Sequence, residues 1–392
     1  MPWRKTYSKE SYSYYKVIVF YPVALNLLHV SKLISHRFLS DVSKTSSFIN
    51  MKNATNLKQL GEFGLIERLR SRLNTHSPRI KKGIGDDCAV FSTRPNTVQL
   101  TSTDALIESI HFDLKTISPV QLGRKAMAVN ISDIAAMGGT PYLALISLGL
   151  PTSSSTKFID KLYLGLQTIC DSHKIELAGG DTAASPKHLF INVCIVGEAS
   201  KNRVFYRAGA KPGDQIFVTG NLGDSAMGLK ILMEKNKKFG AAKYRNLLIK
   251  KHLEPTPRIK ESSLLAKSRL NVTSMIDISD GLTQDLGHLC SKDNLGANLY
   301  EDSLPVSEAL NNICTQKRHD PINWALQGGE DYELLFTIKS EDVKKLKRLF
   351  LKANTFISHI GEITSSPKKI ILSRANGSKI FLKPAMGFNH FK

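Results

Sequence analysis

The chain has 392 residues and is 42% apolar, enough for two ordinary domains with real hydrophobic cores. That composition excludes collagen, low-complexity disorder and a disulfide scaffold. Lys and Arg number 54 against 34 Asp and Glu, a formal net charge of +20, which points to an anionic partner: nucleic acid, a membrane surface or a phosphorylated small molecule. The five cysteines (Cys88, Cys170, Cys194, Cys290, Cys314) are odd in number and show no C-x-x-C. Neither a disulfide framework nor a Cys-based zinc site is expected, and the default location is the reducing cytoplasm.

Residues 1–50 differ from the rest. They hold five of the eleven Tyr, seven Lys/Arg and two acids, Glu10 and Asp41. The longest apolar run, 17–28, is broken by Pro22 and Asn26. At about 12 residues it falls short of the roughly 20 that a membrane span needs. Arg4, Lys5 and Lys9 precede it, a loose imitation of a targeting peptide without a clean cleavage site. Met51 opens a plausible alternative start, so 1–50 is expected to be an upstream extension or an arm.

Beyond residue 57, short apolar runs alternate with helical patterns. Residues 62–73 carry Phe63, Ile66, Leu69 and Leu73 at helical spacing. A strand is expected at 98–101. A helix is expected at 119–137, entered through Ser118 and Pro119 and stopped by Gly138 and Gly139. A buried strand at 142–150, a helix at 158–172 and a strand at 189–197 follow. A Gly- and Pro-rich break at 207–214 separates a second half in the same style. Its strands are 215–219, 274–278 and 333–338, and its helices 224–234, 241–253, 281–291 and one from 341. The pattern predicts α/β architecture with mixed sheets, in two domains meeting near residue 205. The lysines at 235, 237, 238, 243, 250 and 251 read as a solvated helix face, lacking the interleaved aromatics of a nucleic-acid platform.

In so basic a chain the acids are informative. Many sit in short Gly- or Ser-containing segments that read as turns at strand ends: 83–87 (GIGDD), 101–104 (TSTD), 130–133 (NISD), 178–182 (AGGDT), 277–281 (DISDG) and 328–332 (GGEDY). Open α/β sheets present ligands at such ends. Singly, each Asp also suits an N-cap or an Asx turn. Six together would repel one another unless a cation neutralised them. Oxygen donors without His or Cys point to Mg²⁺. No P-loop, kinase H-R-D or D-F-G, or dinucleotide fingerprint is present. Bound phosphate is therefore expected to be held through metal, through backbone amides and through an arginine such as Arg207.

The ordered motifs from 57 to 392 resemble the thiamine-monophosphate kinase family, within the superfamily of aminoimidazole ribonucleotide synthetase. They include GEFGLIERL (61–69), GIGDDCAVF (83–91), STDALIESIHF (102–112), KAMAVNISDIAAMGG (125–139), LAGGDT (177–182), RAGAKPGDQIFVTGNLGDSAMGL (207–229), HLEPTPRI (252–259), IDISDGLTQDLGHL (276–289), ALQGGEDYELLFT (325–337) and GFNHF (387–391). The resemblance implies ATP-dependent phosphorylation of thiamine monophosphate to thiamine diphosphate by direct in-line transfer. It implies an N-terminal ATP- and Mg²⁺-binding domain (51–205) whose sheet pairs across a homodimer, and a C-terminal domain (206–392). By the same resemblance Asp87, Ser102, Thr103, Asp104, Asp133, Asp181, Asp277 and Asp280 are Mg²⁺ ligands. Gly180, Asp181, Arg207 and Ser279 contact ATP, and His111, Glu330 and Phe388 contact the thiamine substrate. The family lacks an equivalent of 1–50. A phosphate monoester is mostly dianionic at neutral pH, so no general base is expected. Neither a nucleic-acid nor a membrane partner is expected. Other superfamily reactions fit less well: no Cys lies in an N-terminal glycine-rich loop and none at the C-terminus. A basic nucleic-acid-binding protein with a vestigial site is the competing class.

Overall fold

The computed structural model describes residues 80–82, 87–92, 95–151, 153–234 and 240–383. The expected helix at 62–73, the segment 1–50, Asp86, Phe388 and three of the lysines (Lys235, Lys237, Lys238) lie outside them. Two mixed sheets carry the fold. In the first, β1 (Ile80–Lys82), β2 (Ala89–Ser92), β3 (Thr97–Ile107), β4 (Thr140–Pro151), β5 (Glu176–Ser185) and β6 (Phe190–Ser200) take the order β1-β2-β3-β6-β4-β5. Only the β4–β5 pair is parallel. Helix α2 (Thr156–His173) makes its crossover.

The second sheet has the order β13-β12-β9-β11-β7-β10-β8. Its strands are β7 (Gln215–Thr219), β8 (Val272–Asp277), β9 (Gly296–Tyr300), β10 (Leu334–Ile338), β11 (Ile357–Thr364), β12 (Ile370–Ser373) and β13 (Lys379–Leu382). Around it lie α3 (Asp224–Met233), α4 (Ala242–Leu253), α5 (Ile259–Lys267), α6 (Leu282–Lys292), α7 (Glu308–Lys317), α8 (Pro321–Gln327) and α9 (Val343–Lys352).

The element that organises the site is α1 (Pro119–Ala136). Ser118 caps it: its hydroxyl accepts from the Gln121 N–H while the Gln121 side chain accepts from the Ser118 N–H. The helix ends before Gly138, whose φ of +75° suits glycine. Thirteen of its eighteen residues are buried, so it is apolar nearly all round rather than striped. It packs on the first sheet through Met127, Ile131 and Ile134. Its Ala135 and Ala136 belong to a cluster with Phe217, Met275 and Phe336 of the second sheet. It crosses α2 closely: a Cβ on Gly123 would lie 2.1 Å from the Leu162 carbonyl oxygen, and one on Gly165 would lie 2.0 Å from that of Val120.

Within the described residues the predicted helices and strands recur with ends shifted by up to a few residues, except that β3 runs on to Ile107. Three expected turns are not turns. Residues 101–104 lie inside β3, 130–133 inside α1, and 178–182 inside β5. An eleven-residue ladder with β6 keeps β3 extended through its Ser, Thr and Asp, because pairing overrides local turn preference. All five cysteines are free. Among the described residues no helix is long and apolar enough to cross a membrane.

Candidate active site

Helix α1 is buried, so its polar side chains must find partners, and four of them, Lys125, Asn130, Ser132 and Asp133, reach out to β3, to the end of β8 and to the loop before β10. Asn130 accepts from the Asp104 N–H (2.9 Å) and donates to the Ala126 carbonyl (3.0 Å). Ser132 donates to Asp277 Oδ2 (2.6 Å). Asp133 accepts from the Ser102 hydroxyl, which also lies 3.1 Å from the Asp87 carbonyl. Lys125, 1% exposed, places Nζ 3.1 Å from Glu330 Oε2. Thus α1 joins β3 to the end of β8 and to the loop before β10.

Carboxylate oxygens of Asp87, Asp133 and Asp277 lie within 4.8 Å of one another. Burial pushes Asp277 up to about 8, with the Asp87 charge adding to it and the Ser132 hydrogen bond and Arg207 opposing. Burial likewise drives Asp133 well above the usual carboxylate range, reinforced by Asp104, Asp277 and Asp87. Asp104, exposed on β3, is raised by desolvation and by Asp87. Opposing these acids is Arg207, which grips Asp87 with both arms, Nε at 3.2 Å from Oδ2 and Nη2 on Oδ1. A second group, Asp280, Asp285 and His288, also has ligand atoms within 4.8 Å of one another. Burial drives Asp285 well up, and Arg207 opposes that shift. His288 is pushed down to about 4 by burial, then by Arg207 and Lys292. The donors of the first group are all oxygen, clustered and short of positive charge, which fits a hard divalent cation.

The other expected residues are distributed as follows. Ser279 and Asp280 follow β8, and the Ser279 carbonyl accepts from the Glu330 N–H (2.7 Å). His111 lies in the turn after β3, its Nδ1 accepting from the Ile107 N–H (3.0 Å). Thr103 and Asp181 are not brought to the carboxylate cluster. Strand pleat points Thr103 to the opposite face from Ser102 and Asp104, where it bonds Asn192 (3.1 Å). Asp181 lies on the edge strand β5 in register with Ser147 and Asn192. It is therefore on the Thr103 side of the sheet, three strands from β3. Gly180 lies tightly on β4, where an added Cβ would meet the Ile146 carbonyl oxygen at 1.7 Å.

Lys125, Asn130, Ser132, His252, Asp285 and His288 were not among the expected site residues. A signal existed for those on α1: polar residues inside an apolar helix of Ala, Val, Ile and Met.

With this geometry in place, the comparisons are specific. The models for AIR synthase related protein match residues 85–199 with their N-terminal domain and residues 211–373 with their C-terminal domain. This defines the class of the fold and site. The thiamine-monophosphate kinase of Buchnera aphidicola (from Schizaphis graminum) is 40% identical over 85% of this chain and 99% of its own. That of Bacillus subtilis is 33% identical over 85% of this chain and 100% of its own. The solved structure "AaThiL complexed with AMPPCP and TMP" superposes with a TM-score of 0.73 and 34% identity, covering 86% of this chain and 99% of that one. The chain belongs to the thiamine-monophosphate kinase family.

Proposed function

We propose that this protein transfers the γ-phosphoryl group of ATP to thiamine monophosphate, giving thiamine diphosphate and ADP. The observation that carries this is the clustering of Asp87, Asp133 and Asp277, drawn from three distant parts of the chain, beside Arg207. Relatives named for this activity and a neighbour solved with AMPPCP and TMP support it.

Asp87, Asp133 and Asp277, with Asp104 and Ser102 beside them, would hold Mg²⁺, and Asp280 would hold a further ion. Mg²⁺ bound there would supply screening of the charge that meets when two phosphate groups are brought together. The chain's own groups position the reactants. Arg207 sits between the two acid groups and is the cation able to leave Asp87 for a phosphate. Gly180, Asp181 and Ser279 are the remaining ATP contacts; Thr103 and Asp181, which share the other face of the sheet, would serve an ion apart from the Asp87, Asp133 and Asp277 cluster. His111, Glu330 and Phe388 hold the thiamine end. The acceptor is already an anion, so one of its phosphate oxygens attacks in line as the bond from Pγ to the leaving ADP oxygen breaks. No side chain need take a proton. Residues 51–205 and 206–392 serve as the two domains of a cytoplasmic homodimer, with the edge strand β5 as the pairing edge.

The test is product analysis. Purified protein with ATP, Mg²⁺ and thiamine monophosphate should yield equal amounts of thiamine diphosphate and ADP. ADP and free phosphate without thiamine diphosphate would contradict the assignment.

A further inference from the structure

Glu330 is held unusually. It has φ +62° and its neighbour Tyr332 φ +52°, left-handed conformations that cost a non-glycine residue about 1–2 kcal/mol each. The loop is pinned in place by hydrogen bonds from the Glu330 and Tyr332 N–H groups to the carbonyls of Ser279 (2.7 Å) and Ile278 (2.9 Å). Strain maintained in this way marks a side chain that must be aimed.

Two side chains converge on that carboxylate from separate helices. Lys125 of α1 approaches Oε2 at 3.1 Å, and His252 of α4 approaches the same oxygen through Nδ1 at 3.2 Å. Both are buried, with 1% and 6% of their side chains exposed, whereas 27% of the Glu330 side chain is exposed. His252 Nδ1 is also 3.2 Å from the Ser225 hydroxyl at the start of α3. No described residue makes a hydrogen bond to Oε1. Both partners occupy one oxygen, Oε2, while 27% of the side chain remains exposed.

We propose that Lys125 and His252 are positioning residues that clamp Oε2 of Glu330, so that its Oε1 is presented, charged, to the cationic and N–H-bearing rings of thiamine monophosphate. This deepens the reading that Glu330 contacts the substrate, and rests on it. The electrostatics agree. Burial alone would push the Glu330 carboxyl up. The Lys125 charge and the hydrogen bond from His252 outweigh it and bring it down to about 2. Burial, and then Lys125, keep His252 below its ordinary value, so a neutral ring donating from Nδ1 suffices. Tyr332, two residues on, also feels the Glu330 charge, and burial first and then that charge keep its phenol protonated. A carboxylate fixed and ionised in this way discriminates for a thiazolium and an aminopyrimidine and against neutral rings.

The test separates the two substrates. In Lys125→Met and His252→Leu, KM for thiamine monophosphate should rise about tenfold, the worth of one charge-assisted hydrogen bond. KM for ATP should stay within about twofold. In the double variant the carboxyl loses what held it down, so its defect should shrink as pH is raised from about 6 to about 9. In Glu330→Gln, which has no carboxyl to ionise, the defect should be independent of pH. His252→Asn, which keeps a donor near Nδ1, should recover most of the loss in His252→Leu. If Lys125→Met does not fold, the His252→Leu and His252→Asn pair carries the test. Equal KM values in that pair, an equal rise for ATP, or a pH-independent defect in the double variant would overturn the proposal. Wild-type protein that makes no thiamine diphosphate would instead remove the underlying reading, and the proposal with it.

Discussion

At the scale of single residues, the site is a group of acids that do not fit together without a counter-charge. Asp277 stands at about 8 in the folded chain, against about 4 for a free Asp. A carboxyl raised on folding stabilises the protein below its unfolded value and loses that contribution as pH climbs through the folded one. Without metal, stability should therefore fall between about pH 4 and pH 8 on account of Asp277. On the proposed reading Mg²⁺ would take the place of the proton, so the gain in Tm on adding Mg²⁺ should be larger near pH 8 than near pH 6. Thermal unfolding at the two pH values checks this, and an equal gain at both would contradict it. Asp277→Asn should lose the Asp277 share of the pH slope and most of the Mg²⁺ gain. The acids themselves were legible as residue types crowded into short segments. Which of them meet was not, because Asp87, Asp133 and Asp277 are brought together only by tertiary structure.

At the scale of elements, α1 decides the geometry. Its boundaries could be read from Ser118, Pro119 and Gly138, which are local signals. Its burial on nearly every side was also foreshadowed by the run from Ala126 to Met137. The targets of its polar groups were not: Lys125 and Glu330 are 205 residues apart. Nor was the strand character of 178–182, because two glycines and an Asp look like a turn until β4 supplies the pairing. The crossing of α1 with α2 gives a test at this scale. Gly123→Ala would drive a methyl group against the Leu162 backbone, and forcing helices apart in a packed core costs about 1–3 kcal/mol. Because α1 also carries Asn130, Ser132 and Asp133, turnover should fall along with Tm. Chemical denaturation and kinetics on Gly123→Ala check both. A variant with wild-type stability would contradict the close crossing.

For the whole molecule, the +20 charge by itself left nucleic acid, a membrane surface and a phosphorylated small molecule all open as partners. The family and the acid cluster give that surplus a smaller role. ATP and thiamine monophosphate are both anions, and a basic surface raises their encounter rate without defining the chemistry. Raising ionic strength from about 0.01 M to about 0.1 M cuts the screening length from about 30 Å to about 10 Å. Over that range kcat/KM for ATP should fall while kcat holds. An invariant kcat/KM would show that the surface charge has no part in capture. The two-sheet α/β plan came through in the sequence because each half alternates strands and helices around its own apolar strands. Strands β9, β11, β12 and β13 did not: β9, β12 and β13 have only four or five residues, and β11, though eight residues long, is broken by an irregularity between His359 and Gly361.

The central claim is that the clustered carboxylates serve phosphoryl transfer to thiamine monophosphate. The most direct measurement is thiamine diphosphate formation, followed chromatographically with ATP over a Mg²⁺ titration, for the wild type and for Asp277→Asn. The wild type should form thiamine diphosphate and ADP one for one, only with Mg²⁺. Asp277→Asn should remain folded and lose on the order of a hundredfold or more in kcat, the scale expected when a metal-positioning ligand is removed. A wild type that forms no thiamine diphosphate, or an Asp277→Asn variant that turns over at close to the wild-type rate, would contradict it.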